Sequence, residues 1–240
     1  MKKTENFQKP QNMADQLIWQ ASKAARLRFW FLASRFDASR LSLLFLFIGS
    51  MSSVFIIGLA AHFVSWNLLF PSLGPTIFLQ FYSPGSAMSC PRNTVLGHLI
   101  GAVTGLLFFW IGTLAGVSAA TGSAESILLG ALALGIGGTF MAYSRLLHPP
   151  AASTILIGAF GLLQHPFAVF AIVLSALLLS LVAWVVHKAA GIKFPVWSPL
   201  EEMGGPRIET RLGRLYLDKE EEKNPMAAMA ARLASRQKLK

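Results

Sequence analysis

The sequence predicts an all-α polytopic membrane protein with four full transmembrane helices and two short Pro-broken membrane segments in two internal repeats. Three observations carry this expectation: long apolar runs, almost no charge within them, and two similar proline-rich stretches at matching places. Hydrophobic residues make up 54% of the 240 and charged residues only 13%, against about 25% charged in an ordinary soluble domain. Between residues 41 and 187 the only charged side chains are Arg92, Glu125 and Arg145. A soluble fold would expose such runs to water, whereas lipid solvates them. The uncharged stretches 41–91, 93–124, 126–144 and 146–187 can each supply a spanning helix of about 20 residues. Segments such as LLFLFIG and AIVLSALLLSLVAWVV lack the polar alternation of a membrane barrel. Their backbone must therefore pair with itself as helix.

The net charge of +10 sits in two flanking tails rather than in the apolar middle. Such flanks mark the cytoplasmic side of a span and suit anionic lipid headgroups, so no nucleic-acid partner is expected. Both termini are therefore placed in the cytoplasm, and the membrane expected is a bacterial inner (plasma) membrane. The single cysteine, Cys90, excludes an internal disulfide. Nothing in residues 1–40 reads as a cleavable signal.

Three regions follow. Residues 1–39 form a basic segment whose second half mixes arginines with Ile18, Trp19, Leu27, Trp30 and Phe31, as in a helix lying at the headgroup level or packed on neighbouring protein. Residues 40–190 form the transmembrane domain. Residues 191–240 form a basic tail with a charged run at 218–223, and its last sixteen residues read as a short helix, surface-bound or disordered, whose usual meaning is a solvated tail.

Within the middle region the full spans are expected at about 41–66, 94–117, 126–147 and 167–187. The second carries Gly97, Gly101 and Gly105 at intervals of four, a stripe along which another helix can approach closely; the third has Gly130, Gly135, Gly137 and Gly138. These stripes also permit a homo-oligomer. Residues 68–82 and 148–163 are too broken to be ordinary spans, interrupted by Pro71, Gly74 and Pro75 in one and by Pro149 and Pro150 in the other. Irregular backbone at membrane depth survives only where protein or a wet cavity surrounds it.

The two broken stretches resemble each other. At an offset of 78 residues, Pro71 matches Pro149, Thr76 matches Thr154 and Ile77 matches Ile155. Each copy follows one full span and precedes another, giving repeats at about 41–117 and 126–188. Paired broken segments in two matching halves point to a transporter or channel site. Dipping segments would give four crossings and parallel repeats, with Arg92 and Arg145 outside. Crossing segments would give six and inverted repeats, with both arginines inside; the charge bias leans to six.

The strings SRLLHPPAAST at 144–154 and PRNTVLGHLIGA at 91–102 are the most specific in the chain. In them the sequence resembles the HPP family of membrane proteins, named for the His-Pro-Pro that stands here as His148, Pro149 and Pro150. Ala151 and Ala152 after that motif, the Pro91-Arg92-Asn93 triplet and Gly97-His98 extend the likeness, which covers roughly residues 40–190. The resemblance implies a four-span protein, and plant chloroplast members are linked to nitrite transport. What it implies here is passage of a small inorganic anion, nitrite foremost.

Elementary physics suits that implication. A short helix opening at Pro150 would aim the free amides of Ala152, Ser153 and Thr154 at whatever lies ahead, with its positive dipole end behind them. A second helix opening near Pro75, with Gly74 before it and Thr76 after it, would offer a matching terminus, so that one anion is shared between the two. Arg92 and Arg145 either act at membrane depth or snorkel to headgroups, and Asn93 stands beside the first. His148 either couples protons or caps a broken end, and His98 either faces the same cavity or is structural. The expected substrate-contacting residues are therefore His148, Pro149, Pro150, Ala152, Ser153, Thr154, Gly74, Pro75, Thr76, Arg92, Asn93, His98 and Arg145.

Two rival classes are an enzyme embedded in the membrane and a scaffold. The spans hold no aspartate, Glu125 stands alone, and five histidines without a close pair lack metal-ligand spacing. No enzymatic activity, cofactor or metal is expected. A scaffold would need no prolines inside its anchoring segments.

Overall fold

The computed structural model describes residues 28–117, 123–199, 207–210, 213–217 and 223–237. Ile18, Trp19 and Leu27, most of the loop at 118–125 and most of the charged run at 218–223 lie outside the described residues. A short helix, α1 (Phe29–Ala33), leads into the first of four helices long and apolar enough to cross a bilayer. These four are α2 (Ala38–Val64), α4 (Pro91–Leu114), α5 (Ala124–Tyr143) and α7 (Pro166–Ala190). The two proline-broken stretches fold into ten-residue helices, α3 (Leu73–Tyr82) and α6 (Pro150–Ala159).

Local chemistry sets the helix ends. Asp37 caps α2 by accepting from the Arg40 amide at 2.8 Å, and Ser123 caps α5 by accepting from Ser126 at 3.1 Å. Helices α4, α6 and α7 each open on a proline, whose missing N–H would have been unpaired there. Helix α3 begins at Leu73 rather than near Pro75, because a proline anywhere in the first turn removes only a donor that has no helical partner. At the end of α5, Arg145 takes a left-handed backbone (φ 55°), and Leu146 N–H bonds the Met141 carbonyl at 2.9 Å. That cap stops the third span at Tyr143 rather than at 147.

Contacts between elements give the direction of each. The start of α2 at Ala38 packs with Ile192, Leu215 and Ala227, so it shares one face of the bundle, here the terminal face, with the end of α7. At the opposite face Trp66 meets Phe167, their rings 5.0 Å apart. Helix α3 returns, ending with Phe81 stacked on His187 (5.0 Å) and edge-on to Phe45 (5.7 Å). Helix α4 leaves the terminal face, where the Arg92 amide bonds the Trp197 carbonyl at 3.0 Å. Helix α5 comes back to Arg145, whose carbonyl accepts from Arg92 Nη2 at 3.4 Å. Helix α6 runs out beside α4 from Gly97 to Gly105, and α7 completes the return.

The described chain thus traverses the bundle six times, and α2–α3–α4 runs in the opposite sense to α5–α6–α7. That is an inverted-topology repeat. Arg92 and Arg145 lie together on the terminal face, the arrangement expected for six crossings.

The glycine stripe of α4 decides how close α6 comes. A Cβ on Gly101 would stand 2.8 Å from the Ala151 carbonyl oxygen, and one on Gly105 only 2.5 Å from that of Ile155. Side chains such as Phe47, Phe55, Leu128 and Leu181 are about half exposed or more, and they form the lipid-facing surface.

The sequence reading of a solvated tail is corrected. A hairpin, β1 (Arg207–Thr210) and β2 (Gly213–Tyr216), pairs Ile208 with Leu215. A last helix, α8 (Pro225–Gln237), buries Ala227, Ala230 and Ala231 in a cluster with Phe29, Trp30 and Ala33 of α1. Alanine at these positions gives a narrow apolar stripe that a mean hydropathy dominated by charge conceals.

Candidate functional site

Four fully buried polar side chains meet where α3, α4 and α6 cross: Thr76, His98, His148 and Thr154. Thr76 and Thr154 sit near the middle of the two short helices, His98 lies two turns into α4, and His148 stands just ahead of α6. They form one hydrogen-bonded chain. Thr154 Oγ1 lies 2.8 Å from His98 Nδ1, and His98 Nε2 lies 2.9 Å from Thr76 Oγ1. Thr76 Oγ1 lies 3.0 Å from His148 Nε2, and His148 Nδ1 donates to the Met88 carbonyl at 2.7 Å. The two imidazole rings stand 5.0 Å apart. Gly97 makes the approach possible, since a Cβ there would lie 2.7 Å from the His148 Cβ.

The polar lining continues along α3. Ser72, Thr76 and Gln80 recur every four residues, share one helical face and are buried. Gln80 Nε2 donates to Ser180 Oγ at 3.1 Å and lies 3.5 Å from Thr94 Oγ1. Ser72 Oγ and Gln80 Oε1 are buried without a partner among the described residues. Sequence reasoning missed Ser72, Gln80, Thr94 and Ser180. The signal was present in the first pair, two polar residues one turn either side of Thr76 in an apolar segment.

The helix termini do not serve as expected. The first turn of a helix leaves four amides without helical partners. At α6 two of these positions are Pro149 and Pro150, which have no N–H, while Ala151 donates to the His148 carbonyl (2.9 Å) and Ala152 to that of Pro149 (3.0 Å). Ser153 and Thr154 lie beyond that turn. At α3, Leu73 and Gly74 donate to the Phe70 and Pro71 carbonyls, and Pro75 has nothing to donate. The expected pair of open amide cradles is therefore corrected: the prolines that begin these helices also remove the donors, and the polar groups facing the interior are side chains.

The structure divides the sequence-derived residues into three groups. Thr76, His98, His148 and Thr154 form the buried chain. Gly74, Pro75, Pro149, Pro150 and Ser153 line the outer side of the same crossing, around an open apolar groove of about 660 Å³ that also includes Phe78 and Leu79; Ala152 is half-buried on α6 and is not part of that lining. Arg92, Asn93 and Arg145 lie at the terminal face, where Arg92 Nε donates to Asn93 Oδ1 at 3.2 Å and Asn93 Nδ2 to the Leu147 carbonyl at 3.3 Å. The Arg92 guanidinium and the Asn93 amide, bonding the Arg145 and Leu147 carbonyls, tie the α5–α6 connection to the start of α4. Among the described residues no three His, Cys, Asp or Glu side chains are placed to hold a metal ion.

Inverted repeats, a short helix in each half and a buried polar crossing between them define a polytopic helical membrane protein built around its own pseudo-symmetry axis. The transmembrane region of the HPP family matches residues 36–195, and the chain belongs to that family. A protein described as a transmembrane protein of Dictyostelium discoideum is 30% identical over 128 residues, which is 52% of this chain and 42% of that protein. The chain thus aligns with less than half of that relative's length. No solved structure matches it.

Proposed function

We propose that the protein carries a small inorganic anion, nitrite foremost, across the membrane, with the substrate drawn to the donors of the Thr154–His98–Thr76–His148 chain rather than to the helix termini. The observation that carries this reading is a buried polar chain built from both copies of a duplicated short helix, in a bundle whose interior, among the described residues, holds no carboxylate. Imidazole N–H and hydroxyl groups are donors that an anion accepts. Helix α6 is seated along α4, whereas α3 packs on α2 and α7 and meets α6 only sparingly. That division suits movement of α2 and α3 against a body formed by α4 to α7, with the site at the seam between them.

The basic tails, together with Arg92 and Arg145 on the same face, support an orientation with both termini in the cytoplasm of a bacterial inner membrane. In this reading the protein moves its substrate unchanged and is not an enzyme. Purified protein in liposomes should move nitrite without any partner, and His148→Ala and Thr154→Val should each slow that flux at least about tenfold, a difference of about 1.4 kcal/mol. Unchanged flux in both variants sinks the site.

A further inference from the structure

The protons of the buried chain can be assigned link by link. A carbonyl only accepts, so His148 carries its proton on Nδ1 and turns a bare Nε2 toward Thr76. The Thr76 hydroxyl donates to that nitrogen and accepts from His98 Nε2–H, which leaves His98 Nδ1 to accept from the Thr154 hydroxyl. Each link holds one proton, and both rings are neutral.

A second acceptor stands behind Thr76. Its hydroxyl oxygen lies 3.3 Å from the Ser72 carbonyl one turn back in α3. When the hydroxyl turns to that carbonyl, His148 Nε2 is free to take a proton and donate it to Thr76 Oγ1. The two lone pairs of that oxygen then accept from both imidazoles. The chain thus has a built-in arrangement for one additional proton.

Among the described residues the resulting imidazolium has no counter-ion. The only acid between residues 41 and 187 is Glu125, exposed at the opposite end of α5. The other titratable or charged groups on the surrounding elements are Arg40 and His62 on α2, Tyr82 on α3, Cys90 and Arg92 at the start of α4, Tyr143 at the end of α5, and Arg145 ahead of α6. On α7 they are His187 and Lys188, with His165 preceding it. None of these is an anion near neutral pH. A buried unpaired charge is costly, so the proton is stable there only when an anion accompanies it. Ser72 Oγ, buried and without a partner among the described residues, is a donor within one turn of the switching hydroxyl.

We infer that the Thr154–His98–Thr76–His148 chain takes up one proton with each anion, so that transport is an electroneutral proton–anion symport; this rests on the anion-transport reading above. On one face a proton from water bonds to His148 Nε2 as the Thr76 O–H turns to Ser72, and the anion enters, accepting from the Ser72 hydroxyl. On the other face that N–H bond breaks, the proton returns to water with the anion, and the Thr76 hydroxyl swings back. No bond within the anion changes.

The test uses full-length protein in liposomes with a pH dye in the lumen, nitrite outside and a potassium–valinomycin clamp, with protein-free vesicles subtracted to remove permeation by nitrous acid. Expected are lumenal acidification of about one proton per nitrite taken up and a rate indifferent to the imposed potential. His148→Gln, which keeps a donor and an acceptor at that position, should lower the proton-to-nitrite ratio toward zero, whereas Thr76→Ser should preserve it. Flux driven by the potential, without protein-dependent acidification, overturns the coupling and leaves anion transport standing. An absence of any flux overturns the transport reading instead. The coupling is then decided by titrating nitrite into weakly buffered purified protein: uptake of about one proton per nitrite bound supports it, and binding without proton uptake, or no binding, overturns it.

Discussion

Thr76 and Thr154, matched residues of the two repeats, hold opposite edges of one imidazole: Thr76 Oγ1 lies 2.9 Å from His98 Nε2 and Thr154 Oγ1 lies 2.8 Å from His98 Nδ1. The duplication therefore converges on a single unduplicated residue. Ala176 stands at the position 78 residues beyond His98, so the second repeat supplies no equivalent ring. Thr76 makes the further link to His148 and is the hub of the chain.

From that asymmetry, Thr76→Val should be more damaging than Thr154→Val although the substitutions are the same size. The first leaves a buried N–H of His98 and a lone pair of His148 unpaired, and the second leaves only His98 Nδ1. Each unpaired buried group costs about 1–3 kcal/mol. Thermal unfolding in detergent should rank wild type above Thr154→Val and Thr154→Val above Thr76→Val; the reverse order would show that Thr76 is not the hub.

The glycines of α4 and α5 differ in what surrounds them. A methyl group at Gly105 would meet the backbone of α6 at Ile155 and Gly158, which cannot yield as a flexible side chain does, whereas nothing lies within 4 Å of one at Gly135. Gly105→Ala should destabilise by about 1–3 kcal/mol. Gly135→Ala should be neutral or stabilise by up to about 1 kcal/mol through helix propensity. Equal melting temperatures for the two variants would contradict the seating of α6 on α4.

Cys90 is fully buried ahead of α4, and burial raises its thiol above the ordinary cysteine range. A raised value keeps the thiol protonated at pH 7 to 8, and the thiolate is the reactive form. A maleimide added to native membranes should therefore leave Cys90 unlabelled, and labelling should appear on denaturation. Rapid labelling of the native protein would place this turn at the surface instead.

Arg145 holds a left-handed conformation that glycine adopts without strain, and its side chain is exposed at the terminal face. Its hydrogen bonds among the described residues are made by the backbone, the amide donating to the Ala142 carbonyl at 3.1 Å and the carbonyl accepting from Arg92. Arg145→Gly should raise stability by about 1 kcal/mol and, as an exposed position, should change nitrite flux by no more than about twofold. A loss of flux at unchanged stability would return Arg145 to the substrate path.

The sequence by itself determined the membrane class, the four long helices, the two proline-broken segments between them and the duplication that relates them. These follow from uncharged apolar length, from the donor that proline lacks and from a fixed 78-residue offset, all local along the chain. It also singled out His98, His148, Thr76 and Thr154, but without showing that they touch. Only the tertiary structure decided that the short helices traverse the bundle, that their amides are already bonded, and that side chains from three helices join into one buried chain. Hydrogen bonds between residues 22 to 72 positions apart depend on how closely helices approach. That closeness is set jointly by the glycines of α4 and the backbone of α6, which no single segment specifies.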